Sequence, residues 1–301
     1  MDVVIGKDEF SKKLADNIQA KFIKFETLDF PDSEIKPKLE TEDGISGKRV
    51  LIVSRTDRLQ PSINKSILET FFLASLVKEL EAEEVNLFIP YMFYSRQDKQ
   101  FLPGEPKSLS NIAEMYQKLG IKNIFTINSH LLGKEKDSLQ DFFTNTKIHD
   151  ISASEMLSKY LRLKKLQDVI VIGPDMGAMK MVKELSNLIN GSFECLEKER
   201  NHVTGEIKIK PPSKKLQNKD VIIYDDVAAS GGTIAKTFEF VENFNPKRIF
   251  IVLPHIVTKK GVDRLSKLGC FEIITTDSFV SQEKRFTELS IIPLIYKYIK
   301  N

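Results

Sequence analysis

The sequence contains little cysteine and no long apolar run, and both shortages restrict what the chain can be. Only Cys195 and Cys270 occur among 301 residues. Both lie in apolar stretches, which is typical of free thiols in a reducing compartment. No apolar run approaches the roughly 20 residues that a membrane-spanning helix needs, and the first residues lack the pattern of a signal peptide. We therefore expect a cytoplasmic protein without a membrane partner.

Charge of one sign is not in excess either. The 45 Lys and Arg residues are nearly balanced by 42 Asp and Glu residues, which leaves a net charge of +3. This balance gives no reason to expect a nucleic-acid partner. Hydrophobic residues make up 41% of the chain, as in ordinary globular proteins. The length is sufficient for two domains or for one large α/β domain.

Several well-known signatures are absent as well. The chain has neither a Gly-x-x-x-x-Gly-Lys-Ser/Thr loop nor a Gly-x-Gly-x-x-Gly fingerprint, so neither of these two nucleotide-binding loops is present. Its four histidines form no Ser-His-Asp arrangement, and no Cys/His spacing of a zinc site occurs. The chemistry of the chain has to come from other motifs.

The sequence does contain short Val/Ile-rich runs that alternate with stretches of helical periodicity. Continuous apolar runs are typical of strands covered on both faces, as in parallel sheets. The runs that predict strands are 50–53, 85–89, 124–127, 169–172, 221–224 and 249–253. Residues 63–81 and 176–189 carry apolar side chains at helical spacing. The alternation predicts an α/β fold with mostly parallel sheets.

The pattern runs through once to about Asp141 and then restarts, which predicts two domains. The polar stretch 144–150 fits a linker, so we expect one domain at 1–146 and a second at 147–301. Near the end, Pro293 is placed to open a helix that continues to Ile299. The tail 285–301 is a candidate to pack back on the N-terminal domain.

The most specific signal is segment 221–233, which reads Val-Ile-Ile-Tyr-Asp-Asp-Val-Ala-Ala-Ser-Gly-Gly-Thr. A predicted strand ends there in Asp225 and Asp226, and a helix is predicted from about 234 to 243. In open α/β sheets, ligands bind beyond the carboxyl ends of the strands. A helix start with free N–H groups attracts phosphate, whereas carboxylates suit sugar hydroxyls or a metal ion.

The residues after the two acids are small. Gly231 and Gly232 let the backbone approach an anion without a Cβ clash, and Ser230 and Thr233 add hydroxyl donors. An ordinary tight turn between strand and helix would also be rich in glycine. An Asp pair directly before such a turn is much less common, so the segment favours a ligand site.

Segment 221–233 resembles the phosphoribosyl-pyrophosphate motif of the phosphoribosyltransferases. The resemblance implies that a loop holds the sugar 5-phosphate, namely Ala229, Ser230, Gly231, Gly232 and Thr233. It further implies that Asp225 and Asp226 hold the 2- and 3-hydroxyls of the ribose. The chain departs from the motif at Ala229, where many relatives have an acid or a polar Ser or Thr.

Other segments resemble the two-domain synthases of this group, the ribose-phosphate pyrophosphokinases, and in particular their compact archaeal-type members. Segment 89–99, Ile-Pro-Tyr-Met-Phe-Tyr-Ser-Arg-Gln-Asp-Lys, resembles their signature of Pro-Tyr, Tyr and Arg-Gln-Asp. The resemblance implies that Arg96, Gln97 and Asp98 contact ATP. Segment 196–201, Leu-Glu-Lys-Glu-Arg-Asn, resembles the loop whose Lys and Arg meet the transferring phosphates, here Lys198 and Arg200.

Segment 28–34, Leu-Asp-Phe-Pro-Asp-Ser-Glu, is similar to the family's Phe-x-Asp-Gly-Glu, with Ser33 in place of the Gly. This similarity implies adenine contacts, often made across a subunit boundary, by Phe30, Asp32 and Glu34. An ordinary turn with a core-facing Phe30 is the alternative interpretation.

Two further strand ends carry metal-site candidates. His130 and Asp175 stand where the family places Mg²⁺ or ATP-phosphate ligands, and Asn128 departs from the acid often found there. Because Mg²⁺ prefers oxygen ligands, His130 could instead bond a triphosphate oxygen, or simply be satisfied by the backbone.

The resemblance covers nearly the whole chain and implies two phosphoribosyltransferase-like domains, each with a mostly parallel central sheet flanked by helices. It implies an enzyme that uses Mg²⁺ to transfer pyrophosphate from ATP to ribose 5-phosphate and that assembles as a homodimer or a higher homo-oligomer. Two alternatives stay open. One is a nucleobase phosphoribosyltransferase, and the other is a catalytically silent homologue that regulates a partner, which the departures at Ala229 and Asn128 leave possible.

Overall fold

A computed structural model of the chain describes residues 1–58, 62–134, 137–200, 207–280 and 285–299. For 198–200 and 207–209 it describes the backbone alone. Within these residues, no helix is both long enough and apolar enough to cross a membrane.

The contacts divide the described chain into two units. The first unit contains the described residues 1–57, 62–134, 137–151 and 291–299, and the second contains Arg58, 152–200, 207–280 and 285–290. Each unit has its own apolar core, so each is a domain in the physical sense. Arg58 is fully buried in the second unit, where its Nε donates to the carbonyl of Ile256 at 2.9 Å.

The first unit is built on a seven-stranded sheet in the order β3-β2-β1-β4-β5-β6-β7, in which only β2 and β3 pair antiparallel. Its strands are β1 (Val3–Gly6), β2 (Lys21–Asp29), β3 (Ile35–Leu39), β4 (Arg49–Val53), β5 (Glu84–Phe88), β6 (Asn123–Ile127) and β7 (Lys147–Ile151). Its first helices are α1 (Glu9–Ile18), α2 (Ile63–Glu79) and α3 (Ser108–Lys118), and a 3₁₀ turn covers Leu139–Phe142.

The second unit contains a six-stranded, fully parallel sheet in the order β17-β16-β14-β12-β8-β9. The strands of this unit are β8 (Ile170–Gly173), β9 (Ser192–Cys195), β10 (Lys198–Arg200), β11 (Ile207–Ile209), β12 (Asp220–Tyr224), β13 (Val227–Ala228), β14 (Arg248–Leu253), β15 (His255–Ile256), β16 (Glu272–Thr276) and β17 (Thr287–Leu289). Its helices are α4 (Ser154–Arg162), α5 (Met179–Leu188), α6 (Gly232–Glu242) and α7 (Lys259–Leu265). Strands β10 and β11 form an antiparallel hairpin, and β13 and β15 form a short parallel pair.

The six strands predicted from Val/Ile-rich runs all occur, as β4, β5, β6, β8, β12 and β14. Their apolar residues are buried on both faces because helices cover the sheets. The predicted α/β class with mostly parallel sheets is confirmed. The predicted helix at 176–189 begins as a 3₁₀ turn at Met176–Ala178 and continues as α5.

Both units repeat one topology. In the first, the chain starts in the centre at β1, passes outward to β2, and returns to the other side of β1 as β4. In the second, it starts at β8, passes to β9, and returns to the other side of β8 as β12. Such a reversal of strand order opens a crevice at the carboxyl ends of the two central strands, where ligands of open α/β sheets bind.

The chain crosses between the units later than the sequence pattern indicated. Residues 144–150 were expected to be a linker, with the boundary at 146/147. In the structure, Lys147–Ile151 is the edge strand β7, paired parallel with β6 along its whole length. An edge strand is half covered and tolerates polar side chains, so its sequence lacks the apolar run by which buried strands are recognised.

The last helix, α8 (Ile292–Ile299), packs against α1 and β7 of the first unit. Its buried apolar residues are Ile292, Leu294, Ile295 and Ile299. The residues just before α8 belong to the second unit, because β17 pairs there with β16. Of the expected tail 285–301, the described residues 285–299 are therefore divided between the two units at about residue 291.

Candidate active site

Two carboxylates follow the central strand β12 of the second unit. The strand is fully buried up to Tyr224, and Asp225 and Asp226 come directly after it. The backbone N–H of Asp226 donates to Oδ1 of Asp225 at 3.0 Å, and the carbonyl of Asp226 accepts a bond from the N–H of His255 at 3.2 Å. The sheet thus fixes both acids at its carboxyl edge.

A third carboxylate, Asp175, lies at the same edge, after the neighbouring strand β8. Its Oδ1 accepts the N–H of Gly177 at 3.0 Å and caps the 3₁₀ turn. Since β8 and β12 are the two central strands at the reversal of strand order, the fold brings Asp175, Asp225 and Asp226 to one crevice. We call these three residues the acidic edge.

The electrostatics of the acidic edge favour a cation or hydroxyl donors. The pKa of Asp225 is raised well above its ordinary value, first by burial and then by the negative charges of Asp226 and Asp175. The same crevice affects the buried thiol of Cys195, whose pKa rises to about 11, mainly through burial and further through the charges of Asp175 and Asp225. A metal ion or sugar hydroxyls placed there would relieve this excess of negative charge.

A small-residue turn, Ala229–Gly232 with Thr233, connects the acids to helix α6; we call residues 229–233 the phosphate loop. Gly231 has φ = +68°, a conformation that favours glycine. The helix begins at Gly232, two residues earlier than the sequence suggested. The N–H groups of a first helical turn have no acceptor within the helix, so the loop presents donors suited to an anion.

Helix α7 packs against the phosphate loop and holds it in place. Sequence patterns did not indicate this role. The hydroxyl of Thr258 donates to the carbonyl of Ala229 at 2.7 Å and also accepts the N–H of Gly261 at 3.1 Å, capping α7. A Cβ on Gly261 would stand 2.4 Å from the carbonyl oxygen of Ala229. Glycine is therefore needed at 261 for α7 to pack this closely.

Lys198 and Arg200 form strand β10, which follows β9 by two residues. The N–H of Leu196 donates to the carbonyl of Gly173 at 2.9 Å, so the chain leaves β9 next to β8. The side chains of Lys198 and Arg200 lie outside the described part of the structure, as do residues 201–206.

In the first unit, Arg96 and Gln97 line a cavity of about 440 Å³ together with Ile63, Asn64, Tyr91 and Tyr94. The hydroxyl of Tyr94 donates to Oδ1 of Asn64 at 2.7 Å, and Oε1 of Gln97 accepts the hydroxyl of Ser108 at 2.7 Å. Asp98 lies nearby in sequence and pairs with Lys134 at 3.4 Å. Aromatic faces beside an arginine and an amide form a lining suited to a planar nitrogen base.

His130 is exposed on the turn after β6. The turn is held by Asp150, a residue that the sequence did not single out. Its carboxylate accepts both the N–H of Ser129, at 3.0 Å, and the hydroxyl of Ser129, at 2.5 Å. Burial raises the pKa of Asp150, and the two bonds from Ser129 oppose that rise. Asn128, at the same turn, is buried with φ = +40°.

Phe30, Asp32 and Glu34 lie at the tip of the β2–β3 hairpin, and none of them lines the 440 Å³ cavity. The N–H of Phe30 donates to the carbonyl of Glu34 at 2.9 Å, and Ser33 has φ = +73°. Phe30 is 39% exposed, so the alternative of a core-facing Phe30 is wrong.

A magnesium ion fits the donor chemistry of the acidic edge, although the described residues contain no ready-made cage of three or more His, Cys, Asp or Glu. Mg²⁺ keeps several waters and is commonly held by one or two carboxylates together with substrate phosphates. The exposed carboxylate of Asp175, in a crevice with excess negative charge, meets that requirement. His130 belongs to the other unit.

Comparison with known proteins agrees with the fold. Residues 4–120 match the family profile described as the N-terminal domain of ribose phosphate pyrophosphokinase, and residues 144–286 match the phosphoribosyl transferase domain. The chain resembles the crystal structure of phosphoribosylpyrophosphate synthetase from Mycobacterium smegmatis with a TM-score of 0.85, at 21% identity, over 100% of this chain and 98% of that one. The fold and the two matched profiles together define a protein of the phosphoribosyltransferase class.

Similar sequences narrow the class further. The ribose-phosphate pyrophosphokinase of Saccharolobus solfataricus is 27% identical over 288 residues, which cover 95% of this chain and 94% of the relative. The ribose-phosphate pyrophosphokinase of Sulfurisphaera tokodaii is 28% identical over 296 residues, which cover 98% of this chain and 97% of the relative. The chain belongs to the ribose-phosphate pyrophosphokinase family.

Proposed function

We propose that the chain transfers the β,γ-pyrophosphoryl group of ATP to the anomeric hydroxyl of ribose 5-phosphate, giving phosphoribosyl pyrophosphate and AMP. The single observation that carries this proposal is the crevice of the second unit, where two adjacent carboxylates lead into a phosphate loop at a helix start. Family membership supports the reaction type. We further propose a cytoplasmic site of action, in keeping with the free thiols of Cys195 and Cys270.

Ribose 5-phosphate would bind to the second unit. The N–H groups and hydroxyls of the phosphate loop, from Ala229 to Thr233, would hold the 5-phosphate. Asp225 and Asp226 would accept bonds from the 2- and 3-hydroxyls. These bonds would stabilise the charged form of Asp225, which the crevice otherwise disfavours. The sugar is thereby anchored at both ends, which orients its anomeric hydroxyl.

ATP would bind mainly through the first unit. The cavity lined by Arg96 and Gln97 would take the adenine. Asp98, which pairs with Lys134, would also contact the nucleotide, and His130 would bond a triphosphate oxygen. Phe30, Asp32 and Glu34, exposed on their hairpin, would complete the adenine site of a neighbouring copy. We therefore propose a homodimer or a higher homo-oligomer.

Mg²⁺ would be held by Asp175, with His130 as a further candidate, and when bound it would neutralise phosphate charge and template the displacement. The anomeric oxygen forms a bond to the β-phosphorus as the bond from that phosphorus to the oxygen bridging to the α-phosphate breaks. AMP leaves with that bridging oxygen, and the hydroxyl releases its proton. Lys198 and Arg200 would stabilise the negative charge that gathers on the transferring group.

The test is to incubate the protein with ATP, Mg²⁺ and ribose 5-phosphate and to quantify AMP by chromatography and the new pyrophosphate ester by ³¹P NMR. We expect AMP and phosphoribosyl pyrophosphate in equal amounts, and no AMP when ribose 5-phosphate is omitted. Release of pyrophosphate from phosphoribosyl pyrophosphate and a nucleobase, with ATP untouched, would assign a nucleobase transferase instead. Binding of nucleotide without either reaction would assign a silent homologue.

A further inference from the structure

A guanidinium group lies against the phosphate loop, and the sequence motifs did not indicate it. Nη1 of Arg264, in α7, is 2.8 Å from the place where a Cβ on Gly232 would stand. Gly232 is the first residue of α6. Arg264 follows Gly261 by three positions and so lies on nearly the same face of α7, the face that Thr258 and Gly261 fasten to Ala229.

This guanidinium has no acceptor in the described part of the chain, where it makes no hydrogen bond and no ion pair. Its acidic neighbour Asp263 is paired with Arg285 instead, at 3.8 Å. Arg264 is exposed, so nothing in the described fold requires it for stability.

The position of the Arg264 guanidinium beside the start of α6 is electrostatically unfavourable unless an anion is bound there. The N-terminus of a helix carries about half a positive charge, and Arg264 adds a full positive charge beside the start of α6. Lys259, Lys260 and Lys267 increase the local excess, because they line a cavity of about 450 Å³ together with Asp263 and Arg264. An anion between the loop and the guanidinium would convert this repulsion into attraction on both sides.

We propose that Arg264 is a binding residue for the 5-phosphate of the pentose substrate and sets the affinity for it. The inference rests on the proposed function and deepens it. A phosphate monoester is largely dianionic at pH 7, so it can satisfy the loop N–H groups and the guanidinium at once. The planar fork of arginine donates two parallel bonds to phosphate oxygens, which the point charge of lysine cannot reproduce.

The test compares Arg264→Gln and Arg264→Lys with the wild-type protein by steady-state kinetics and by calorimetric titration with ribose 5-phosphate. We expect Arg264→Gln to raise both KM and Kd for ribose 5-phosphate by about ten- to hundredfold, the size usual for a lost charge-assisted bond. The KM for ATP should stay within about twofold, and kcat should change little, because the bond is made equally in ground and transition states. The KM and Kd of Arg264→Lys for ribose 5-phosphate should lie between those of the wild-type protein and those of Arg264→Gln.

Lys267→Gln is the matched control, since it removes one positive charge from the same cavity, and Lys267 has no atom within 4 Å of a Cβ placed on Gly232. An affinity for ribose 5-phosphate that is unchanged in Arg264→Gln, or reduced only as much as in Lys267→Gln, would overturn the assignment of Arg264. A parallel loss of ATP affinity would overturn it as well, because it would indicate a general distortion. A wild-type protein that produces no AMP would instead count against the proposed function, while the titration still tests Arg264.

Discussion

Asp225 carries its carboxylate in a position that disfavours charge. Burial is the largest cause of its raised pKa, and the charges of Asp226 and Asp175 add to it. A group whose pKa is higher in the folded than in the unfolded state lowers stability as the pH rises from its ordinary pKa through its folded pKa. At neutral pH the buried carboxylate of Asp225 therefore costs stability, as functional groups often do.

Asp225→Asn should make the protein more stable at pH 7 and almost inactive. Asparagine keeps the Oδ1 acceptor for the N–H of Asp226 but removes the buried charge, so we expect a gain on the order of 1 kcal/mol in the free energy of unfolding. Urea unfolding at pH 7 and at pH 4.5 measures it, and the gain should shrink at the lower pH. Asp168→Asn, at an exposed carboxylate, is the control. A variant that is less stable at pH 7, or a gain that grows on acidification, would contradict this account.

Lys198→Ala should slow turnover without abolishing binding. If the ammonium group stabilises charge that develops in the transition state, its loss costs about 3 kcal/mol of barrier, or about a hundredfold in kcat. Steady-state kinetics with saturating ATP and ribose 5-phosphate measure this, and Lys219→Ala, on a lysine paired with Asp168, serves as control. A near-normal rate in Lys198→Ala would refute its role.

At the residue scale, sequence reasoning succeeds where the functional groups are consecutive. Asp225, Asp226 and the phosphate loop form one segment, so their pattern predicts a strand end, a turn and a helix start that the structure shows. Asp150 and Arg264 reach their sites only through folding, from about 20 to 30 residues away in the chain. No local pattern marks either of them, because an isolated acid or arginine is ordinarily a solvated surface residue.

At the element scale, burial on both faces decided which strands could be predicted. The central strands are continuous Val/Ile-rich runs and were placed to within about one residue. The β2–β3 hairpin and the edge strand β7 alternate with polar residues or lie half exposed, so composition alone did not separate them from loops. Helix α7 was missed as well, although it holds the phosphate loop in place.

Gly261→Ala tests the contact between α7 and the phosphate loop. Helix propensity alone would favour alanine by up to about 1 kcal/mol, but its Cβ would stand 2.4 Å from the carbonyl oxygen of Ala229. We expect a loss of about 1 to 3 kcal/mol in unfolding free energy, typical of overpacking, and at least tenfold weaker binding of ribose 5-phosphate.

The matched control is Gly269→Ala, because an added Cβ at 269 meets nothing within 4 Å. Chemical denaturation and calorimetric titration of both variants give the comparison. If Gly261→Ala proved as stable as Gly269→Ala and bound the sugar phosphate equally well, the close packing of α7 under Ala229 would not matter for the site.

At the scale of the whole molecule, a repeated topology gives two crevices, and among the described residues the acidic edge lies at the crevice of the second unit. At the reversal of strand order in the first unit, Arg55 pairs with Asp8 and stacks over Phe10 at 4.1 Å. The negative charge of Asp8 is thus offset by a guanidinium that lies beside it. The first unit instead places its polar cavity at the neighbouring strand β5, which ends before Arg96 and Gln97.

The final helix is predicted to stabilise the first unit, although it is the last element of the chain. Ile295 of α8 is fully buried there, so Ile295→Ala should cost about 2 to 5 kcal/mol through lost burial and the remaining cavity. Hydrogen exchange should show lower protection in the first unit and unchanged protection in the second. Leu163→Ala, on a side chain that is 75% exposed, should change stability by less than about 0.5 kcal/mol. Equal loss of protection in both units would contradict the division.

The most direct test of the whole account is calorimetric titration of ribose 5-phosphate into the wild-type protein and into the double variant Asp225→Asn, Asp226→Asn. In this account the acids after β12 accept bonds from the sugar hydroxyls while the loop binds the phosphate. The wild-type protein should therefore bind ribose 5-phosphate, and the double variant should bind it at least about a hundredfold more weakly, because two charge-assisted bonds are lost. Equal affinity in the two proteins would contradict it.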